Sequence, residues 1–397
     1  MKQKFILIGM DDNPDPLFHP DALLYIKEGQ VFSGGDRHRN IVKPLLPARH
    51  RWIPITVPLD RVFEQYGPHG CIVVFASGDP LFFGFANTVK RKLPEAELLI
   101  YPAFNSLQLL AHRLTLRYDD MRMVSLTGRP WHEFDRALIG DEAKIGLLTD
   151  REHTPDAIAR RMLDFGYANY TVHVGECLGN PAAERVCTMT VKEAAGGTFG
   201  HPNNLILERN SSRRRFFGIP DEAFCHLNGR PGMITKAPVR LLTLSALELS
   251  GKTSLWDVGF CTGSISIEAK LRFPHLHVTS FEIRPEGAAL MAANARRFGA
   301  PGITTVTGDF VGACLPAYPP PDAVFIGGHG GKLKEIVFRI KETLKPEGII
   351  VFNSVSEESK GLFAEAVEAA GMEMQSVTRV AIDNHNPIDI MKAIPKK

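Results

Sequence analysis

Short apolar runs recur along the chain, bounded by Gly, Pro, Asn or Asp and separated by stretches with helical spacing. Residues 5–9 (Phe-Ile-Leu-Ile-Gly) predict a buried strand that empties into an Asp/Asn/Pro loop. Cys71-Ile-Val-Val-Phe-Ala76 is the strongest run of the first half. It flows into Ser77-Gly-Asp-Pro-Leu-Phe-Phe-Gly84, a sharp loop of the kind found at the carboxyl edge of a parallel sheet, where α/β proteins place ligands. Shorter runs lie at 31–35 and 53–57, and further strands are predicted at 98–101, 123–126, 145–149, 171–174 and 205–208. Between them the clearest helix spans Thr154 to Gly166, with Thr154 as N-cap, Pro155 at the first helical position and Gly166 at the stop. Alternation of this sort predicts α/β throughout.

The second half predicts a helix over 239–249, then the strand and turn Trp256-Asp-Val-Gly-Phe-Cys-Thr-Gly263, and a helix from Ser264. Strands follow at 278–282, to Asp309, at 323–326 and at 349–352, with helices between, and strand-like runs at 375–382 and 388–393. Roughly seven strands result, the count of a large doubly wound sheet.

At 397 residues the chain exceeds one ordinary core and predicts two domains. The composition turns polar and basic around Asn210 to Gly218, which sets a linker at 211–227 between domains 1–210 and 228–397. Arg213 to Arg215 there read as a solvated charge run, with an acidic ligand as the sharper alternative. A formal net charge of +2 gives no reason to expect nucleic acid or an anionic membrane as partner. The start of the chain has too few apolar residues for a signal peptide, and no stretch approaches the roughly 18 of a membrane span, so a cytoplasmic enzyme is expected. The six cysteines form no C-x-x-C pair, which argues against a disulfide framework or a structural zinc; no metal is expected.

The turn at 259–263 joins a strand to a helix N-terminus, and Glu282 ends the next strand, where a ribose with two free hydroxyls is gripped. A nicotinamide dinucleotide would need G-x-G-x-x-G, but Cys261 holds the middle position and Ser264 the last. Asp257, just before the turn, would repel a phosphate and suits the sulfonium and ammonium of S-adenosylmethionine. D-x-G-x-x-x-G with Glu282 resembles the cofactor motif of seven-strand methyltransferases. Cys261 in place of the usual glycine is expected to sit in the turn as a small filler with negative φ.

Both halves together resemble the cobalamin-biosynthesis family of fused precorrin-6B or precorrin-6Y C5,15-methyltransferases (decarboxylating). In the first half the matching stretches are Gly34-Gly-Asp-Arg-His38, Ser77 to Gly84, Asn105-Ser-Leu-Gln108, Val124 to Arg129 and Val174 to Gly179. In the second they are Gly229-Arg-Pro-Gly-Met-Ile-Thr-Lys236, the glycine turn, and Pro321 to Gly331. The family's first loop carries a second glycine, whereas this chain has Gly9-Met-Asp-Asp-Asn13, where Asn13 can adopt a left-handed conformation.

The resemblance implies a two-lobed tetrapyrrole methylase fold followed by a doubly wound, Rossmann-like seven-strand methyltransferase domain. It implies S-adenosyl-L-methionine as cofactor, a precorrin or cobalt-precorrin as substrate, methylation at C-5 by the first domain, and methylation at C-15 with decarboxylation by the second. Carried over as cofactor-binding are Gly78, Asp79, Pro80, Leu81, Ser106 and Thr127, then Thr235, Gly259, Phe260, Cys261, Thr262, Gly263, Glu282 and Phe310. His329, flanked by glycines, is a candidate for proton handling during decarboxylation, against the plainer reading of an inert loop histidine. Arg129 and Arg230 are candidates for the substrate's carboxylates, with Arg37, Lys236 and Arg240 also near ligand loops. A homo-oligomer is expected. The rival readings are a nucleic-acid methyltransferase, disfavoured by Gly327-Gly-His-Gly where N-P-P-Y is usual, and a chain whose first domain is only a binding scaffold.

Overall fold

The computed structural model describes residues 2–215, 217–230, 232–382 and 386–396. Phe216, in the predicted linker, and Pro231, in the 229–236 motif, lie outside the described residues. The architecture is mixed α/β with three sheets, and the chain divides into two compact units. One comprises residues 1–129, 143–160 and 169–210, the other residues 130–142, 161–168 and 211–397.

The strands are β1 (Lys4–Met10), β2 (Val31–Gly34), β3 (Arg51–Pro54), β4 (Cys71–Ser77), β5 (Glu97–Tyr101), β6 (Arg122–Ser125), β7 (Lys144–Leu148), β8 (Tyr170–Glu176), β9 (Arg185–Thr190), β10 (Asn203–Arg209), β11 (Ser254–Val258), β12 (His277–Glu282), β13 (Ile303–Thr307), β14 (Ala323–Ile326), β15 (Ile349–Ser354), β16 (Met372–Val380) and β17 (Ile388–Pro395).

In the first unit, one parallel sheet has the order β3-β2-β4-β1-β5. β1 crosses to β2 on one side and β4 to β5 on the other, which opens a crevice at the carboxyl ends of β1 and β4. Both strands are apolar on both faces, as a parallel sheet covered by helices demands: Phe5, Ile6, Leu7, Ile72, Val73 and Val74 are all buried. The second sheet has the order β6-β7-β10-β8-β9 and is mixed. Only β6 and β7 are parallel, and β7, β10, β8 and β9 pair antiparallel. β9 was not predicted, because its residues are at most half-buried and form no apolar run.

In the second unit the order is β13-β12-β11-β14-β15-β17-β16, parallel except for β17, which is antiparallel to both β15 and β16. β11 crosses to β12 and β14 to β15 in the opposite direction, so their carboxyl ends form a second crevice. Trp256 anchors the core beneath it, fully buried against Phe281 and Phe310, with its indole N–H donating to the Pro319 carbonyl at 3.1 Å. The helix predicted at 239–249 spans Ala237–Ala246. Its Arg240 is not at a ligand loop but fully buried: it pairs with Glu268, donates to Asp221 at 3.1 Å and to the Thr235 carbonyl at 2.8 Å. A guanidinium with that many fixed acceptors is structural.

Arg213 and Arg215 are also fixed, contrary to the solvated reading. Arg213 donates to the Phe165 carbonyl at 2.9 Å and stacks on Tyr167 at 4.4 Å, and Arg215 donates to the Leu138 carbonyl at 3.1 Å. Backbone carbonyls and the Tyr167 hydroxyl take up these donors. Among the described residues no helix is long and apolar enough to cross a membrane.

Candidate functional site

The crevice at β11 and β14 opens into a cavity of about 540 Å³. Its wall is built by the strand-to-helix turn. Gly259 has φ +75°, and a side chain there would run into the backbone of Gly328, 2.6 Å away, so only glycine lets the β11 and β14 loops meet. The Gly327 N–H closes this contact on the Val258 carbonyl at 2.8 Å.

Cys261 also adopts a left-handed conformation, φ +51°, not the negative φ expected of it. That conformation costs a non-glycine residue about 1–2 kcal/mol, and two hydrogen bonds offset it. The Cys261 N–H donates to Glu282 Oε2 at 2.9 Å, and its thiol donates to the Met233 carbonyl at 3.2 Å. The cysteine therefore latches the 229–236 loop onto the turn, a role that filler volume alone did not suggest. Burial, then the Glu282 charge, pushes its thiol pKa up, which keeps it a neutral donor.

Glu282, buried at the end of β12, is held on its other oxygen by the Arg284 N–H at 3.1 Å and the Arg284 guanidinium at 3.2 Å. Asp257 does not project a free charge into the turn. It is fully buried; its Oδ2 accepts from Ser266 at 2.5 Å, and Ser266 also meets the Ser280 hydroxyl at 2.7 Å. Burial pushes its pKa up to about 7. Its Oδ1 has no hydrogen-bond partner among the described residues, although the residue lines the cavity. An orphaned carboxyl oxygen at a cavity wall fits a cationic or N–H-bearing ligand.

Of the predicted residues, Thr235, Gly259, Phe260, Cys261, Glu282, Phe310 and His329 line this one cavity. Thr262 and Gly263 do not: Thr262 is buried with its carbonyl taken by Asn294 at 2.9 Å, and Gly263 (φ +75°) starts the helix Ser264–Arg272. His329 Nδ1 accepts from the Gly331 N–H at 3.2 Å, which leaves Nε2 to carry the ring proton. Sequence reasoning missed Lys332, paired with Asp309 at 2.6 Å, and the exposed apolar rim of Ile283 and Val355. Arg230 instead lines a separate cavity of about 630 Å³, which Arg284 also lines.

In the first unit, Gly78 (φ +60°) follows β4 and donates its N–H to the Met10 carbonyl at 2.7 Å, which ties the ends of β4 and β1 together. A side chain on Gly78 would strike the Asn105 backbone at 2.7 Å. Asp79 Oδ1 accepts from the Leu81 N–H at 2.8 Å and shapes the loop through Pro80. Ser106 opens the helix Ser106–Leu114, whose N-cap Asn105 and Gln108 form a capping box. Thr127 donates to the Thr149 carbonyl at 3.0 Å. Leu81 and Arg129 line a cavity of about 580 Å³, where the Arg129 guanidinium lies 5.2 Å from the Phe83 ring; Gly78, Asp79, Pro80, Ser106 and Thr127 do not line it. Asn13 keeps a negative φ; its N–H instead closes a turn on Asp11 Oδ1 at 3.0 Å.

Comparisons with known proteins give the relatives of the chain. A family profile described as a precorrin methyltransferase domain matches residues 226–395. The precorrin-6Y C(5,15)-methyltransferase [decarboxylating] of Sinorhizobium sp is 34% identical over 96% of this chain and 91% of its own length. The cobalt-precorrin-6B C(15)-methyltransferase (decarboxylating) of Salmonella typhimurium is 40% identical over 36% of this chain and 71% of its own. The crystal structure of a precorrin-6y C5,15-methyltransferase from Geobacter metallireducens is 32% identical and covers 46% of this chain and 100% of its own, at a TM-score of 0.42. With 34% identity over 96% of its length, the chain belongs to the family of precorrin-6Y C(5,15)-methyltransferases (decarboxylating).

Proposed function

We propose that the protein methylates a precorrin or cobalt-precorrin at C-5 and C-15 and decarboxylates its ring C acetate, using S-adenosyl-L-methionine. The observation that carries this reading is the single cavity shared by the Gly259 turn, Glu282, the orphaned Asp257 oxygen and His329. When bound, S-adenosylmethionine supplies a methyl group activated by its sulfonium. Glu282 would hold the ribose hydroxyls and Phe310 the adenine, while the apolar walls exclude water and leave the reaction to positioning. His329 would return a proton to the carbon that loses carboxylate, and the conjugated macrocycle itself absorbs the electron pair.

In this reading residues 1–210 form a two-lobed tetrapyrrole methylase domain acting at C-5, 211–227 a linker, and 228–397 a Rossmann-like seven-strand domain acting at C-15. Gly78, Asp79 and Pro80 would bind the first domain's cofactor, with Leu81, Ser106 and Thr127 beside them, and Arg129 and Arg230 would meet substrate carboxylates. The alternative, in which the first domain is only a scaffold, draws on the altered loop Gly9 to Asn13. Incubation of the full chain with substrate and methyl-labelled cofactor tests the reading: two labelled methyls and one released CO2 are expected. One methyl with CO2 release would establish the scaffold alternative, and no incorporation would refute the function.

A further inference from the structure

The motif Gly34-Gly-Asp-Arg-His38 has no task in the account so far, yet the fold carries it to the carboxyl end of β4. Ser77, the exposed last residue of β4 and the neighbour of Gly78, receives the Arg37 guanidinium on its Oγ at 2.7 Å and meets His38 Nε2 at 3.0 Å. Arg37 is held in turn by Asp12, at 3.4 Å, from the loop after β1. The hydroxyl oxygen thus already accepts from a fixed cation, so its own proton is free to point at the imidazole. His38 Nδ1 is buried with no hydrogen-bond partner among the described residues. With the proton on Nδ1, Nε2 is the acceptor, and Ser77 Oγ is an exposed oxygen that can take a proton while passing its own inward.

Resting on the C-5 reading above, we propose that Ser77 is a catalytic residue of the first unit, and that Ser77 and His38 form a relay that removes the proton released by ring methylation. Replacing a carbon-bound hydrogen by methyl from a sulfonium donor breaks the carbon–sulfur bond, with its electron pair going to sulfur. It forms a carbon–carbon bond from a π pair of the ring, and one proton must leave the macrocycle. That proton passes to Ser77 Oγ as the serine proton moves to His38 Nε2, and it is later lost to solvent. Arg37 positions the hydroxyl and stabilises any negative charge that builds on its oxygen.

Burial, and then the Arg37 charge, push the His38 pKa down to about 4, so the imidazole is neutral and able to accept at physiological pH. The charge that bears on it is Arg37 on its own helix, itself paired with Asp12 from the loop after β1.

The test uses the full chain as wild type, His38→Gln and Ser77→Ala. It measures C-5 methyl formation against pH, S-adenosylhomocysteine affinity by calorimetry, and the His38 titration by NMR of histidine-labelled protein. Expected are a loss of about a hundredfold in C-5 rate in both variants with cofactor affinity kept. The wild-type rate should be flat through neutrality and fall only as His38 becomes protonated near 4 in the NMR titration. Variants within about twofold of wild type, an acid limb that does not follow His38, or a rate lost in parallel with cofactor affinity would each overturn the relay. Wild type that forms no C-5 methyl would instead overturn the C-5 reading itself, and the relay with it.

Discussion

Asp257 shows what a single residue in this turn does. Its identity and its place before the glycines are legible in the sequence, but its burial is not, because the serines that enclose it come from the next helix and from β12. A carboxyl whose folded pKa lies near 7 against an ordinary 3.8 binds its proton more tightly when folded. Its contribution to stability is therefore complete below about 4 and lost as pH rises through about 7. Asp257→Asn should abolish that loss, so that urea unfolding at pH 5 and pH 8 shows a smaller pH dependence in the variant than in wild type. An unchanged dependence would mean that Asp257 is ionised in the folded protein. Cys261 is the complementary case: the sequence marks it as an irregular member of the turn, but its left-handed φ follows from hydrogen bonds to Glu282 and Met233, which lie 21 and 28 residues away.

At the scale of elements, runs such as Cys71–Ala76 and Ala323–Ile326 announced their strands because both faces are buried and every position is apolar. Pairing direction was not legible. Nothing in Leu205–Glu208 distinguishes a strand between antiparallel neighbours from one in a parallel sheet, since direction depends on partners far along the chain. The helices Ala237–Ala246 and Ser264–Arg272 are joined by Arg240 and Glu268, a pair buried from water. The Ile219 N–H also donates to Glu268, at 3.2 Å. Removing one partner leaves an uncompensated buried charge, so Arg240→Ala should destabilise by about 3–5 kcal/mol in chemical denaturation. A cost below about 1 kcal/mol, the size of an exposed pair, would show that water reaches the carboxylate.

For the whole molecule, each unit carries a sheet with crossovers running in opposite directions, and a positive-φ glycine, Gly78 or Gly259, follows a strand where one of them begins. That recurrence was the part of the function most open to sequence reasoning, because glycine turns after apolar strands are local signals. The lining of each cavity was less so: Lys332, Ile283 and Val355 belong to no motif and reach the β11 crevice only through the fold. The central claim is that both crevices bind the methyl donor. Calorimetric titration of S-adenosylhomocysteine into the intact chain, into Glu282→Ala and into Gly78→Ala tests it most directly. Two sites per chain are expected in the wild type and one in each variant; a single wild-type site that Glu282→Ala removes and Gly78→Ala leaves intact would contradict that claim.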